Sequence, residues 1–321
     1  MTRRPEFEIE AGGRTINLGP RTLLMGVLNV TPDSFSDGGR FFDPIRAVEH
    51  GIEMVRQGAD WIDVGGESTR PGSQPVTPAE ELGRVLPVIR ALRRKRPDVP
   101  ISIDTTKAEV AEQALEAGAN IVNDISGLRF EPPIAEVASR HRAPLILMHT
   151  RGRPETMQSK PFVRDIWRSL TDGFEVSVRR ALAAGVARKQ IILDPGLGFG
   201  KSRRQNYEIL SGLARLQQFR LPLLIGASRK SFVQAVVRGE SLNPNRTPRH
   251  GSRYWPMTGN RPVTSSHSHD AEDPHAALLS VGDAAAVAAA ILGGAHIVRV
   301  HDPAAILPAV RFADALLAAH R

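Results

Sequence analysis

The chain has 321 residues, of which 41% are hydrophobic and 5% aromatic, and it contains no cysteine. This length and composition suffice for one large domain, and the missing cysteines exclude disulfides and thiolate chemistry and fit a reducing cytoplasm. Basic residues outnumber acidic residues by 42 to 34, for a net charge of +8, but the few aromatic residues and the lack of a recognised motif argue against a nucleic-acid partner.

The N-terminal segment is basic without an apolar stretch behind it, so we expect no signal peptide. No later apolar run is long enough to span a bilayer, so we expect no membrane partner. Residues Phe7–Leu18 predict a β-hairpin with Gly12 and Gly13 in its turn. We expect this hairpin to cover the closed end of a barrel formed by the elements that follow.

Apolar runs of strand length then alternate with helical patterns along the chain. The predicted strands are Leu23–Asn29, Trp61–Val64, Pro100–Ile103, Asn120–Val122, Pro144–Met148, Gln190–Leu193, Leu221–Ile225 and Ala295–Val300. The predicted helices are Pro44–Gln57, Pro78–Arg94, Lys107–Ala117, Ile134–Arg140, Phe162–Ala184, Asn206–Gln217, one after ASRKS, one near Val281 and one from Pro303. Eight such units predict an α/β fold, a (β/α)8 TIM barrel within a single domain over residues 1–321. A doubly wound open sheet is the alternative.

The stretch from Glu240 to Pro274 interrupts this alternation. It is rich in Pro, Asn, Arg, Ser and His without a regular period, which predicts an exposed, disordered insertion near residues 240–274. Its histidines are His250, His267 and His269, and His275 directly follows it. Their spacing suits neither a helix face nor a zinc finger, so we favour a solvated segment over a metal site.

The Arg93–Arg96 cluster ends a predicted helix, where cations complement the helix dipole.

Polar side chains follow nearly every predicted strand. They are Asn29, Asp63, Asp104, Asn123, Asp124, His149, Asp194, Ser228, Arg229, Lys230, Arg299 and His301. Helix capping explains any one of them, but not the whole set, which a closed barrel would bring to one mouth. Carboxylates and carboxamides suit a flat heterocycle with amidine-type N–H donors, and cations near a helix N terminus suit phosphate. The set predicts a site for a nitrogen-rich ring on a phosphorylated arm.

Two familiar catalytic patterns are not supported. The sequence has no GxSxG elbow and no catalytic cysteine, so displacement by a second bound substrate is favoured over an acyl-enzyme. The stretch DPGLGFGKS ends like a Walker A loop, but Pro195 stands at the position of the first glycine. We interpret this stretch as a barrel loop whose glycines let the backbone approach a ring.

Seven motifs lie along almost the whole chain: MGVLNVTPDSFSDGG, DVGGESTRPG, SIDT, NDISG, DPGLGFGK, GASRKSF and IVRVHD. In this order they resemble the dihydropteroate synthase family of the folate pathway. SIDT and NDI are weak alone, whereas the first motif, ESTRPG, SRK and RVHD are jointly very specific. The resemblance implies a pterin-binding TIM barrel and sulfonamide target. Such a transferase joins 4-aminobenzoate to 6-hydroxymethyl-7,8-dihydropterin diphosphate, giving 7,8-dihydropteroate and diphosphate.

The resemblance also implies the roles of individual residues. The implied catalytic residues are Arg70, Asp104, Lys230 and His301. Asp104, Asn123, Asp194 and Lys230 would hold the pterin, with Met148, Phe199 and Gly226 lining its pocket. Asn29, Arg70, Arg299 and His301 would bind diphosphate, with Mg2+ beside Asn29. Thr69, Pro71, Lys230 and Ser231 would contribute to the 4-aminobenzoate site. The loops 30–39 and 67–73 would close over the mouth.

The family is usually a homodimer through its last helices, which agrees with the small residues of Ala284–Ala290. This chain departs from the family in TRGRP after His149, in SRRQN after Lys201 and in the long insertion, without losing an implied site residue.

Two other functions compete with the synthase assignment. A methyltetrahydrofolate-dependent methyltransferase would not need the SRK and RVHD set. A non-catalytic pterin-binding paralogue is only partly disfavoured by the presence of Arg70, Lys230 and His301.

Overall fold

The structure is a computed structural model that describes residues 4–31, 43–69, 72–159, 161–240 and 274–319, without side chains for 274–277. The insertion predicted near 240–274 therefore lies outside the described residues, apart from its first and last positions. The same is true of Arg70 and Pro71 and of most of the 30–39 loop. The predictions made for these segments remain predictions.

Strands form a hairpin and a barrel. They are β1 (Phe7–Ala11), β2 (Arg14–Leu18), β3 (Leu23–Asn29), β4 (Trp61–Gly65), β5 (Ile101–Asp104), β6 (Ile121–Asp124), β7 (Leu145–Met148), β8 (Ile191–Asp194), β9 (Leu224–Ile225) and β10 (Ile297–Val300). β1 and β2 pair antiparallel, and the other eight form one sheet in the order β8-β7-β6-β5-β4-β3-β10-β9. A parallel bridge between Leu193 and Leu223 joins the two ends of this sheet. The predicted (β/α)8 barrel with an N-terminal hairpin is confirmed.

The barrel strands are buried on both faces, as parallel strands covered by helices must be. Their N-terminal ends meet inside the barrel in a cluster that includes Trp61, Ile192 and Ile297. Ile9 and Leu18 of the hairpin belong to the same cluster and are fully buried. The hairpin therefore closes this end, and the opposite end, where the polar residues stand, is left for chemistry.

Helices surround the barrel. They are α1 (Pro44–Arg56), α2 (Pro78–Lys95), α3 (Ala108–Glu116), α4 (Ile134–Arg140), α5 (Ile166–Ala183), α6 (Arg203–Ser211), α7 (Ser231–Val237), α8 (Pro274–Leu292) and α9 (Pro303–Ala318). Asp43 caps α1 as the sequence predicts, because its side chain accepts the N–H groups of Ile45 and Arg46. Among these described helices, none combines the length and apolarity needed to cross a membrane.

Two predicted helices differ from the structure. α5 begins at Ile166 rather than Phe162, because the Asp165 side chain accepts the N–H of Arg168 and starts the helix there. The single helix predicted over Asn206–Gln217 is wrong. α6 ends at Ser211 and a 3₁₀ helix follows over Leu213–Phe219. The break falls at Gly212, where a Cβ would lie 2.4 Å from Cζ2 of Trp167.

The hydrogen-bonded ladder of the barrel is uneven. β3 and β4 pair over five residues each, from Met25–Trp61 to Asn29–Gly65. β9, by contrast, has two residues, and β8 meets the chain before it at the Leu193–Leu223 bridge. The join between β8 and β9 is therefore the least extensively paired line of the described barrel.

Candidate active site

Arg299 stands at the centre of the open end. Its Nε donates to Oδ2 of Asp63 at 2.7 Å, and its Nη2 donates to Oδ2 of Asp104 at 2.8 Å. Since β10, β4 and β5 supply these three side chains, the barrel brings together residues that are far apart in the sequence. The result is a largely buried cation, 17% exposed, between two buried carboxylates.

Asp63 is fully buried and has a full set of hydrogen bonds. Besides the guanidinium, its carboxylate accepts the hydroxyl of Ser102 at 2.5 Å and Nδ2 of Asn123 at 3.1 Å. The sequence placed Asp63 among the strand-end polar residues but gave it no separate role. Its structural task is to fix Arg299 and Asn123 across the barrel.

Asp104 differs from Asp63 in having an unused acceptor. Its Oδ1 atom is buried and has no hydrogen-bond partner among the described residues. Burial, and then the nearby Asp63 charge, raise the pKa of Asp104 to about 7, although Arg299 acts in the opposite direction. A buried, unsatisfied carboxylate oxygen at the mouth of a barrel is a candidate ligand contact.

Asp194 and Lys230 occupy the other side of the mouth. Burial raises the pKa of Asp194 to about 6, while the Gly196 N–H donates to its Oδ1 at 2.7 Å. Lys230 Nζ lies 4.2 Å from the ring centre of Phe199. Burial and the charge of Arg299 lower the pKa of Lys230 to about 8. A cation held over an aromatic face can bind polar atoms of a ring that enters beside it.

An apolar surface lies between these polar groups. Ile125, Met148, Met157 and Phe199 form a separate buried cluster at this end of the barrel. Gly226 leaves the space beside Arg299 open, since a Cβ there would be 3.8 Å from Cβ of Arg299. A flat ring could therefore lie against apolar side chains with its edge toward the carboxylates.

A cavity of about 180 Å3 opens beside this group. Its lining includes Thr69, Asp104, Ile125 and Arg153. The cavity thus connects the Asp104 carboxyl to the start of the 67–73 loop. Thr69, which the resemblance assigns to the second substrate, lies on its wall.

A partly buried ion cluster of Lys107, Glu67 and Glu81 supports that loop. Lys107 Nζ donates to Oε2 of Glu81 at 2.5 Å and also to Glu67, and Glu81 is fully buried. Burial raises the pKa of Glu81 against the pull of Lys107. Burial also opposes the charge on Lys107, but its bonds to Glu67 and Glu81 outweigh it and raise its pKa. Nothing in the sequence pattern pairs these three residues.

Lys201 has a structural role in its loop. Its Nζ donates to the carbonyl oxygens of His149 at 2.9 Å, Gly196 at 2.8 Å and Phe199 at 3.0 Å. Burial lowers its pKa to about 7. Because three backbone carbonyls accept hydrogen bonds from its ammonium group, Lys201 holds residues 194–201 together. This agrees with the interpretation of DPGLGFGKS as a barrel loop.

Two of the strand-end polar residues support the backbone or the packing. Asp124 accepts the N–H groups of Ser126 at 2.8 Å and Leu128 at 2.6 Å. His149 Nε2 lies 3.3 Å from the Ser169 hydroxyl, and burial lowers its pKa well below the ordinary value. The expectation that every strand-end polar residue faces the mouth was therefore too broad.

The residues implied for diphosphate and the second substrate are placed differently. Asn29 ends β3 and is half-buried, and Ser231 is exposed at the start of α7. His301 Nδ1 lies 3.3 Å from the Ser228 hydroxyl. Arg299 is engaged with two carboxylates, and Arg70 and Pro71 lie outside the described residues.

Comparisons with known proteins agree over almost the whole chain. Residues 25–301 match the family described as pterin binding enzyme. The dihydropteroate synthase of Synechocystis sp. is 44% identical over 308 residues, which are 96% of this chain and 94% of that protein. The Yersinia pestis dihydropteroate synthase, solved with a sulfonamide drug complex, has a TM-score of 0.80 at 38% identity, covering 97% of this chain and 100% of that one. The Xanthomonas albilineans enzyme, solved with 4-aminobenzoic acid, has a TM-score of 0.79 at 33% identity, covering 98% and 99%.

Proposed function

The chain belongs to the pterin binding enzyme family, and within it to the dihydropteroate synthases, and we propose that the open end of its barrel carries out their reaction. This transferase reaction of folate biosynthesis joins 6-hydroxymethyl-7,8-dihydropterin diphosphate and 4-aminobenzoate, giving 7,8-dihydropteroate and diphosphate. The observation that carries the proposal is the buried Oδ1 of Asp104, which has no hydrogen-bond partner among the described residues. Oδ2 of the same carboxyl binds Arg299, and Asp104 lines the 180 Å3 cavity. One strong acceptor is therefore available to a ligand.

The pterin would occupy the apolar surface beside Phe199. Asp194 and Asn123 would meet its amidine-type N–H groups and carbonyl, because a carboxylate accepts two parallel hydrogen bonds and a carboxamide both donates and accepts. Lys230 would bind polar atoms of the ring from its position over Phe199, 4.2 Å from the ring centre. Met148 and Gly226 would leave a flat slot for the ring.

The reaction would proceed by departure of diphosphate from the methylene carbon. As the C–O bond breaks, positive charge can spread into the electron-rich pterin, and the Asp104 carboxylate would stabilise it. The leaving diphosphate takes the electron pair, and Arg299 and His301 would stabilise that negative charge. The amine of 4-aminobenzoate then attacks the carbon and loses its proton to solvent. A negligible dependence of the rate on the leaving group would count against this dissociative route.

Other residues at the mouth of the barrel would bind 4-aminobenzoate and the diphosphate group. Thr69, Arg70 and Pro71 from the 67–73 loop, with Lys230 and Ser231, would form the 4-aminobenzoate site. Asn29 and Arg70 would complete the diphosphate site. The Asn29 carboxamide oxygen is a hard donor of the kind Mg2+ accepts together with phosphate oxygens and water. Bound there, Mg2+ would supply charge neutralisation for the diphosphate.

The assembly and setting of the enzyme also belong to this proposal. We expect residues 1–321 to form a single domain that works in the cytoplasm as a homodimer. Val236, Leu278, Val281 and Phe312 are apolar and 47–67% exposed. They lie on α7, α8 and α9, the last helices of the chain, and a second copy would cover such residues. A monomer at micromolar concentration in sedimentation would contradict the dimer.

The direct test measures both substrates and the product. Purified protein with Mg2+, the dihydropterin diphosphate and 4-aminobenzoate should release diphosphate and form a product with the mass of dihydropteroate. Omission of either substrate should abolish the product. Tight pterin binding without product would favour the non-catalytic paralogue, and absence of binding would overturn the assignment. Methyl transfer from methyltetrahydrofolate would favour the methyltransferase.

The raised pKa of Asp194 predicts that pterin affinity falls in acid. A ring that donates N–H groups requires the ionised carboxylate, so below pH 6 binding must first remove a proton from Asp194. The Kd of 6-hydroxymethyl-7,8-dihydropterin should therefore rise about tenfold for each pH unit below 6. Calorimetric titrations between pH 4.5 and 8 measure this dependence. Asp194→Asn should bind more weakly and lose the part of the acid limb that lies below pH 6, whereas any dependence near pH 7 belongs to Asp104. An unchanged limb below pH 6 would assign it to another group.

A further inference from the structure

Asp283 is a buried carboxylate on α8, 8% exposed, that the reaction proposed above does not use. Its Oδ2 accepts the Ser228 hydroxyl at 3.0 Å. Both of its oxygens accept the Arg229 backbone N–H, at 3.0 and 2.9 Å. Ser228 and Arg229 belong to the turn between β9 and α7 and are more than 50 residues from Asp283 in the sequence. A helix from the far end of the chain thus holds this turn.

The turn contains an unfavourable backbone conformation. Arg229 has φ +57°, in the left-handed region where L-residues are disfavoured because Cβ approaches the following carbonyl. The Arg229 side chain is exposed. Its conformation is therefore held through the backbone. The Arg229 N–H donates to Asp283, and the Arg229 carbonyl accepts a hydrogen bond from Nε2 of Gln234 at 3.2 Å. Asp283 is the restraint that comes from outside α7 and its turn.

The next residue is Lys230, whose position depends on this conformation. A change of the Arg229 backbone to an ordinary negative φ would redirect the chain just before Lys230. The Lys230 ammonium now lies 4.2 Å from the Phe199 ring centre. Asp283 therefore helps to position Lys230, a proposed pterin contact, although Asp283 itself does not belong to the pterin site.

The same carboxylate also orients a second group. Because the Ser228 hydroxyl donates its hydrogen to Asp283, its oxygen is left to accept a hydrogen from His301 Nδ1, 3.3 Å away. His301 is the residue proposed to meet the diphosphate. Asp283 is thus linked through Arg229 to Lys230, which is proposed to bind the pterin, and through Ser228 to His301, which is proposed to bind the diphosphate.

Close packing of α8 against α7 allows this contact. At Gly282, a Cβ would lie only 2.4 Å from Cγ2 of Val237 and 3.2 Å from Cγ1 of Val233. The missing side chain lets α8 approach α7, whose first residue follows Lys230 directly. Asp283 can then reach back beneath the turn.

We propose that Asp283 is a positioning residue that fixes the Ser228–Lys230 turn so that Lys230 and His301 face the pterin and the diphosphate of the first substrate. This inference rests on the proposed function, because the affected parameters are those of the synthase reaction. It names a residue outside the mouth whose loss should alter substrate affinity without removing a substrate contact.

Asp283→Ala tests the proposal by steady-state kinetics. We expect kcat/KM for the dihydropterin diphosphate to fall about 10–100-fold, the range expected when hydrogen bonds to a buried carboxylate are lost. Most of this fall should be an increase in KM, and the Kd of the free pterin should rise in parallel. Asp283→Asn keeps one acceptor and should lose less. Asp98→Ala, at an exposed carboxylate, is the control and should behave as wild type.

A second substitution separates positioning from folding. Glycine adopts a positive φ without strain, so Arg229→Gly added to Asp283→Ala should recover part of the lost affinity. Circular dichroism gives the folded fraction of each variant. Wild-type KM and Kd in folded Asp283→Ala, or a loss explained entirely by unfolded protein, would overturn the positioning role. If the wild type itself makes no dihydropteroate, the proposed function fails instead, and the pterin Kd still tests the turn.

Discussion

Replacing Asp104 with asparagine is expected to lower kcat/KM for dihydropteroate formation by about 10²–10³-fold, the usual loss when a group that stabilises transition-state charge is removed. Asparagine has nearly the same shape but carries no charge. Its amide can still accept a hydrogen bond, so the ring should still bind. The loss should therefore appear mainly in kcat, measured by diphosphate release at saturating substrates.

The size of this effect follows from the surroundings of Asp104. Its Oδ1 is buried without a partner among the described residues, so its charge is little screened by water. Asp98→Asn is the matched control, since Asp98 forms an exposed ion pair with Arg96. An Asp104→Asn enzyme with the kcat of the wild type would show that this carboxylate does not stabilise the reacting carbon. The measurement should be made at pH 8, where the carboxyl with a pKa of about 7 is ionised in the wild type.

Lys107→Met should lower the free energy of unfolding by about 3–5 kcal/mol, the cost of leaving a buried charge unpaired. Lys107 is the cation between Glu67 and Glu81, and Glu81 has no exposed side-chain surface. One oxygen of Glu81 already lacks a hydrogen-bond partner among the described residues, so removal of the ammonium leaves the carboxyl with little compensation. Chemical denaturation followed by circular dichroism measures the loss.

A double variant identifies the origin of that loss. Lys107→Met combined with Glu81→Met replaces the buried pair by apolar side chains and should recover most of the stability. Glu67 remains partly exposed and can stay hydrated. Lys189→Met removes an exposed ion pair at the closed end of the barrel and should change stability little. If the double variant were as unstable as Lys107→Met alone, an unpaired Glu81 would not be the cause.

Much of the fold could be predicted because its signals are local. Strand-length apolar runs and residues such as Asp43 before Pro44 mark elements by themselves. One error, the early start expected for α5, overlooked the local cap at Asp165. The other arose where distant packing decided the outcome. The helix expected over Asn206–Gln217 ends early because Trp167 of α5 occupies the space beside Gly212. No pattern within residues 206–217 reports that contact.

The sequence predicted which residues gather at the candidate site, but not which of them contact each other. The strand ends pointed to Asp104, Asn123, Asp194 and Lys230, because a closed barrel must gather them. The sequence could not show that Arg299 would lie between Asp63 and Asp104, since such contacts depend on register across the barrel. It also missed Asp283, which lies inside an alanine-rich helix and becomes informative only when α8 is placed beneath Arg229. The signal that could have found it is a lone carboxylate on an otherwise apolar helix.

The uneven strand pairing of the barrel leaves one weakly paired join at its mouth, between β8 and β9. Asp63, Asp104 and Asn123 stand on strands with continuous ladders to their neighbours. Asp194 ends β8, and Lys230 follows β9. Both therefore flank the join at Leu193 and Leu223, where the fewest hydrogen bonds of the described barrel resist separation. We therefore expect any widening of the barrel to occur at this join, on the side where the ring would enter. Asp63 and Asp104, on continuously paired strands, should keep their spacing during such a movement.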